Sequence, residues 1–280
     1  MISAFPEEMA ALYPDIKRAG NLREAMQCAL NDSGTDLVAA VHPAPEWRST
    51  ATVVESATRT SDTHLARRQR LFNIEFSERG VCMASGSTTE LATCVGPVVA
   101  WQAGADLEQL CAAAPFIRPT ALGLAFEQGT AVEFIWNQFL ESEYHDPALL
   151  EAAYAQPALR ALRPYTSMNA LHFSRSTRFP FTTDLPFVIP RDEGGYRVVW
   201  QIESSSMDSW WLDLQRVDRD FVNAETVADA IAVVLEHLPD GCGPAIDGTA
   251  RDLDKPNAIS GETHVPADHD VSKQAEPVRE

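Results

Sequence analysis

The stretch Leu71-Phe-Asn-Ile-Glu-Phe76 alternates without a break. Leu71, Asn73 and Glu75 fall on one side of an extended chain, and Phe72, Ile74 and Phe76 on the other. That period of two belongs to a strand buried on one face only. Just beyond it, Gly80 predicts a turn into a second strand over 81–85, and Gly86 a turn into a third over 88–95. Three short strands joined by tight turns make an antiparallel meander.

Upstream, residues 37–41 and 51–55 read as two more strands, joined through Pro43-Ala-Pro45. Before them, Asn21 is placed to cap a helix carrying Leu22, Ala25, Met26 and Ala29 on one stripe, with Asn31 and Gly34 as its stop. Downstream the period changes to that of helices. Pro97 predicts a short helix to Gln102, Asp106 opens another through Leu107, Leu110, Cys111 and Ala114, and Thr120 caps a third. Thr130 and Glu133 have capping-box spacing before Val132, Ile135, Trp136, Phe139 and Leu140. Asp146-Pro147 opens a further helix, and Pro157 restarts it. Strands return over 170–174, 196–203 and 209–214, followed by a helix capped at Asn223 with Val227, Ala230, Ile231, Val234, Leu235 and Leu238 on one face. Strands in blocks and helices in blocks predict an α+β fold: antiparallel meanders with helices packed on one face. Both halves run strands then helix, which suggests two similar units, although no residue-level repeat joins them. The domain reading is 1–64 as N-terminal helix plus strands, 65–253 as the main α+β region, and 254–280 as a disordered acidic tail.

The net charge of −18 repels phosphate backbones and anionic headgroups, so neither nucleic acid nor membrane is an expected partner. No run approaches the roughly 20 apolar residues of a spanning helix, and Met1 to Ala11 does not read as an export signal. The five cysteines (Cys28, Cys82, Cys94, Cys111 and Cys242) are odd in number, dispersed and without a C-x-x-C pair, which fits reduced thiols in a cytoplasmic protein.

The common catalytic signatures are absent from the sequence: no phosphate-cradling or dinucleotide-binding glycine motif, no G-x-S-x-G, no H-E-x-x-H. Four weaker groupings remain. Glu141, Glu143, His145 and Asp146 are metal-ligand types, but they sit where one helix ends and the next is capped, so no metal or other cofactor is expected. His172, Arg175 and Arg178 offer a proton carrier and two guanidinium forks suited to a carboxylate or phosphate. Trp200, Trp210 and Trp211 cluster on one predicted hairpin; because Trp210 and Trp211 face opposite sides, one of them is free to form a binding platform. Cys242 follows a helix C-terminus, whose negative end disfavours the thiolate.

Several short stretches together resemble an uncharacterised actinobacterial family, domain of unknown function 6193, whose members carry the label natural product biosynthesis protein. They are Val99-Ala-Trp-Gln-Ala-Gly104, Leu107-Glu-Gln-Leu110, Pro115-Phe-Ile-Arg-Pro119, Glu151-Ala-Ala-Tyr154, Leu159-Arg-Ala-Leu162, Leu171-His-Phe-Ser174, His237-Leu-Pro-Asp-Gly-Cys-Gly-Pro-Ala245 and Gly248-Thr-Ala-Arg-Asp-Leu253. The resemblance implies specialised metabolism as the setting and hands no catalytic role to any residue. The expected function is therefore a non-catalytic accessory or binding protein whose partner is an unknown small molecule or protein. One alternative is an enzyme acting on a carboxylated or phosphorylated intermediate through His172, Arg175 and Arg178; another is an immunity-type or protein-interaction module.

Residues 255–280 contain Pro256, Pro266 and Pro277 and almost no large apolar side chains, too little to offset the roughly 1–2 kcal/mol per residue that ordering costs. A chain ending at Leu253 is expected to melt within a few degrees of the full chain by calorimetry, whereas Ile231→Asp, which buries a charge, is expected to unfold it.

Overall fold

A computed structural model describes residues 5–143, 146–200 and 220–253. Within them the chain forms two antiparallel sheets, of six and five strands, with ten α-helices. The first sheet contains β1 (Ala39–Val41), β2 (Ala51–Glu55), β3 (Arg59–Leu65), β4 (Phe72–Glu78), β5 (Val81–Thr88) and β6 (Ile117–Pro119), in that spatial order. It is preceded by α1 (Pro14–Ala19) and α2 (Leu22–Asp32). Between β5 and β6 run α3 (Ala92–Gln102) and α4 (Leu107–Ala113). After α5 (Ala121–Glu127), α6 (Ala131–Leu140), α7 (Pro147–Tyr154) and α8 (Pro157–Arg160), the second sheet follows. Its strands are β7 (Arg163–Ser167), β8 (Ala170–Ser174), β9 (Phe187–Pro190), β10 (Tyr196–Trp200) and β11 (Asp220–Ala224), again in simple meander order. Helices α9 (Val227–Glu236) and α10 (Ala250–Leu253) close the described chain.

The alternation of 71–76 does what its pattern dictates. Phe72, Ile74 and Phe76 are fully buried against the helices, with Phe76 meeting the Trp101 ring of α3 edge-on at 6.0 Å. Leu22, Met26 and Leu30 of α2 pack into the same core, and Asn21 caps α2 by accepting from the Glu24 N–H at 2.9 Å. The second core gathers Trp136, Leu149, Leu150, Leu159, Leu171, Phe173, Val188, Val198, Ile231 and Val234. Helix α6 serves both: Ala131 belongs to the first core and Trp136 to the second. The first sheet also runs across the 64/65 boundary read from the sequence, since β3 ends at Leu65 and pairs along its length with β4.

Several expectations need correcting. Gly86 does not turn the chain. It lies inside β5, where a Cβ would sit 2.6 Å from the Phe116 carbonyl, so glycine is there for close approach of the β6 connection. Residues 92–95 are accordingly the first turn of α3, and Pro97 lies within that helix. Thr130 makes no side-chain cap on α6: its hydroxyl is directed to the Ala125 carbonyl at 3.4 Å, and the Glu133 carboxylate accepts from the Tyr154 hydroxyl. The cap of α9 is Thr226, which accepts from Asp229 at 3.1 Å, while Asn223 is part of β11. Strands β3, β7, β9 and β11 lack a clean apolar alternation and were not anticipated. The expected strand over 209–214 and the tail from 254 lie outside the described residues.

One side chain ties the two cores together. Arg178, 4% exposed, donates from Nη1 to the Glu78 carbonyl of β4 at 2.6 Å and from Nε to Asp247 Oδ1 at 2.6 Å, and its guanidinium lies 4.3 Å from the Phe126 ring of α5. Residues 246–250 run alongside 175–180 and are bonded to them from Ile246, Thr177, Arg178 and Ala250. Burial pushes the Asp247 carboxyl up, but the bond and charge of Arg178, with the Thr177 bond and the Arg79 charge, together outweigh it and hold the group below its usual value. A carboxyl lowered on folding stabilises above its unfolded pKa, and that contribution is lost as pH falls through the folded value. Arg178→Met is expected to cost about 2–4 kcal/mol in urea unfolding at pH 7 and to weaken the loss of stability on acidification below about pH 4.

Candidate functional site

The second sheet has two unlike faces. Leu171, Phe173, Val188 and Val198 point into the core beneath α6, α7 and α9. By the period of two, Tyr165 of β7, His172 of β8 and Phe187 of β9 point to the other face. Register brings them into one row: Tyr165 pairs with His172, and the Leu171 to Val188 pairing sets His172 beside Phe187. The imidazole is stacked between the two rings, 4.9 Å from Tyr165 and 4.4 Å from Phe187. The row continues to Phe181, 5.0 Å from Tyr165, and through it to Phe179, 5.7 Å further and 74% exposed. On the far side Phe187 packs with Ala170, Val199 and Ile189 as a small cluster separate from the main cores. Burial raises the Tyr165 phenol to about 12, so it stays a neutral hydroxyl, set 3.3 Å from the Thr182 carbonyl as its donor.

The loop that carries Phe179 and Phe181 is held by Ser174. Its buried hydroxyl donates to the Ser176 carbonyl at 2.9 Å and accepts from the Ser176 and Thr182 N–H groups at 3.0 Å each. Arg163, opposite Ser174 in the register, extends over the Phe181 ring with its guanidinium carbon 3.8 Å from the centroid.

The residues singled out in the sequence do not converge. His172 is in the row. Arg175 is paired with Asp184, and Arg178 with Asp247. Trp200 is on the opposite, core-facing side of the sheet, its ring 3.9 Å from that of His237 at the end of α9. Trp210 and Trp211 lie outside the described residues, as does His145. Asp146 is committed to structure: Oδ1 accepts the Ala148 and Leu149 N–H groups, and Oδ2 accepts the Tyr196 hydroxyl at 2.7 Å. No group of His, Cys, Asp and Glu among the described residues is arranged to hold a metal ion. The Cys242 thiol is pushed up, chiefly by burial, the direction that the helix end favours.

Sequence reasoning missed Arg163, Tyr165 and Phe187, because β7 and β9 are short and contain proline, and it gave no role to Phe181 in the loop after β8. It also missed a polar group on the outer face of the first sheet. His42 Nε2 lies 3.2 Å from one oxygen of Asp62, and His64 Nδ1 lies 3.7 Å from the other. His42 Nδ1 accepts the Ala44 N–H at 3.2 Å, which places the proton of the neutral ring on Nε2, toward Asp62. The pKa of His64 is raised, by Asp62 first and more weakly by Glu75, with burial opposing them. The signal was present: Asp62 and His64 are two apart and so share a face.

Residues 130–249 match the model of the Family of unknown function (DUF6193). The matched segment begins at the residue before α6 and contains the whole aromatic row; the quoted stretches at 99–104, 107–110 and 115–119 precede it. No curated protein and no solved structure matches the chain.

A His raised on folding stabilises fully below its unfolded pKa, and the contribution fades as pH rises through the folded value. Proton NMR titration is expected to place His64 above about 6.5 in the native protein, and Asp62→Asn is expected to bring it back toward that ordinary value.

Proposed function

We propose that this protein is a non-catalytic accessory protein of specialised metabolism that binds its ligand or partner protein across the outer face of the second sheet. The observation that carries this reading is the continuous row Phe179–Phe181–Tyr165–His172–Phe187, crossing three strands and a loop on the face away from the core. Aromatic side chains held by stacking and by a hydrogen-bonded loop lose little rotamer freedom on binding, which is why such residues dominate binding hot spots. The row also lies within the family-matched segment. The specialised-metabolism setting comes from the family resemblance, and the five unpaired thiols support a reducing, cytoplasmic compartment. The enzymatic alternative draws less support, because Arg175 and Arg178 already have carboxylate partners. The interaction-module alternative rests on the −18 charge alone.

The test is a thermal-shift screen of the full chain against the small molecules and proteins made by neighbouring genes. A true ligand at a hundredfold excess over its Kd is expected to add about 2.7 kcal/mol, a shift of several degrees. His172→Ala should abolish the shift without unfolding the protein. Turnover of the hit compound, or a shift that His172→Ala leaves intact, would refute the reading.

A further inference from the structure

Arg163 lies against the Phe181 end of the aromatic row, with no opposite charge beside it among the described residues. Arg175, Arg178 and Arg191 are each paired with a carboxylate, and Arg70 with Asp15. Arg163 makes no ion pair to any described residue. Its Nη1 donates only to the Pro164 carbonyl, at 3.3 Å, and its Nε is buried with no hydrogen-bond partner. Nη2 likewise bonds to no described residue. The Nε–Nη2 edge is the fork with which arginine grips a carboxylate through two parallel bonds. Burial of this kind lowers the pKa to about 10, with Tyr165 opposing it weakly; the group still carries its charge at neutral pH.

A desolvated cation without a counter-ion is costly, and a buried donor without an acceptor adds to that cost. The Phe181 face offsets part of it, since a ring attracts a guanidinium placed over it. A ring, however, accepts nothing from Nε–H in the guanidinium plane. Both deficits vanish together when an oxyanion lies against that edge. The surroundings select which oxyanion. Arg163 adjoins Phe181, and Phe181 adjoins Tyr165 and Phe179, so the guanidinium stands at the edge of a group of rings. A ligand with an apolar body attached to its charge buries area there; a bare inorganic ion does not.

We infer that Arg163 is the anion-binding residue of the outer-face site, and that the ligand class is an organic carboxylate whose apolar part lies along the Phe179–Phe181–Tyr165 end of the row. This rests on the outer face being the binding surface and adds the chemistry it recognises.

Sodium benzoate is the probe, with acetate and inorganic phosphate as comparisons, each titrated into the full chain at neutral pH while the Arg163 Nε–H resonance is followed by NMR. Benzoate is expected to shift that resonance saturably, with a Kd of about 1 mM or below, and acetate and phosphate at least tenfold more weakly. Arg163→Met keeps the stem and removes the fork. It should fold, melt no lower than the wild type, since an uncompensated charge is gone, and lose the benzoate-dependent thermal shift. Arg163→Lys, charged but without the fork, should retain only a fraction of the response. No movement of the wild-type Nε–H resonance, or a thermal response that survives in Arg163→Met, overturns the assignment. Equal responses to phosphate and benzoate overturn the carboxylate class. If benzoate binds through Arg163 while His172→Ala leaves every hit of the ligand screen intact, the wider reading of the row fails and the Arg163 subsite stands.

Discussion

Two hydrophobic cores in one chain are joined through helix α6, which contributes to both, and through the buried side chain of Arg178. Its guanidinium meets a main-chain carbonyl of the first sheet, an aromatic ring of α5 and a carboxylate of the C-terminal strap. All three sites are needed to take a nearly fully buried charge out of water, since a buried cation is tolerable only when its donors and its charge are both answered. The consequences spread outward. Anchoring Asp247 keeps residues 246–250 against 175–180, and that contact fixes the loop that presents Phe179 and Phe181. The same loop is braced from below by the Ser174 hydroxyl. The candidate binding surface is thus built on a joint rather than on either sheet alone.

Local sequence rules found what local forces decide. The core stripe of α2, the cap at Asn21, the helix start at Asp106 and the alternation of β4 depend on neighbours in sequence, and each stands where its pattern placed it. What escaped depends on distant chain. Gly86 carries the same letter as a turn glycine, but its reason is the Phe116 carbonyl thirty residues away. Strands β3 and β7 have polar outer faces and modest inner ones, and are recruited by β4 and β8 rather than by their own composition. Of the site, His172 was legible as a chemically capable residue on a strand. Its neighbours were not, because the Tyr165–His172–Phe187 row exists only once β7 and β9 are known to flank β8. The two arginines that drew attention by their closeness in sequence to His172 turn out to serve the loop and the joint, while Arg163 faces the row from a strand the sequence hid.

The two outer faces differ in chemistry, and the difference bears on what each can do. The second sheet offers packed rings and an unneutralised guanidinium, a surface suited to holding something. The first offers Asp62 between two imidazoles, a polar surface on which the carboxylate raises the pKa of His64. Neither face depends on the other's side chains, so a change on one can be read without disturbing the other.

The grip of Arg178 on the first sheet is directed at the carbonyl of Glu78, not its carboxylate, which faces Arg59 instead. Every amino acid carries that oxygen. Position 78 can therefore drift through the alphabet and present the same acceptor, and the ring at position 126 need only remain aromatic. The joint writes its requirements almost wholly into residues 175–182 and 246–250 and leaves hardly a trace in the first 120. Correlated substitution, the usual footprint of two surfaces held together, would pass over this one: an essential contact that inheritance records on a single side.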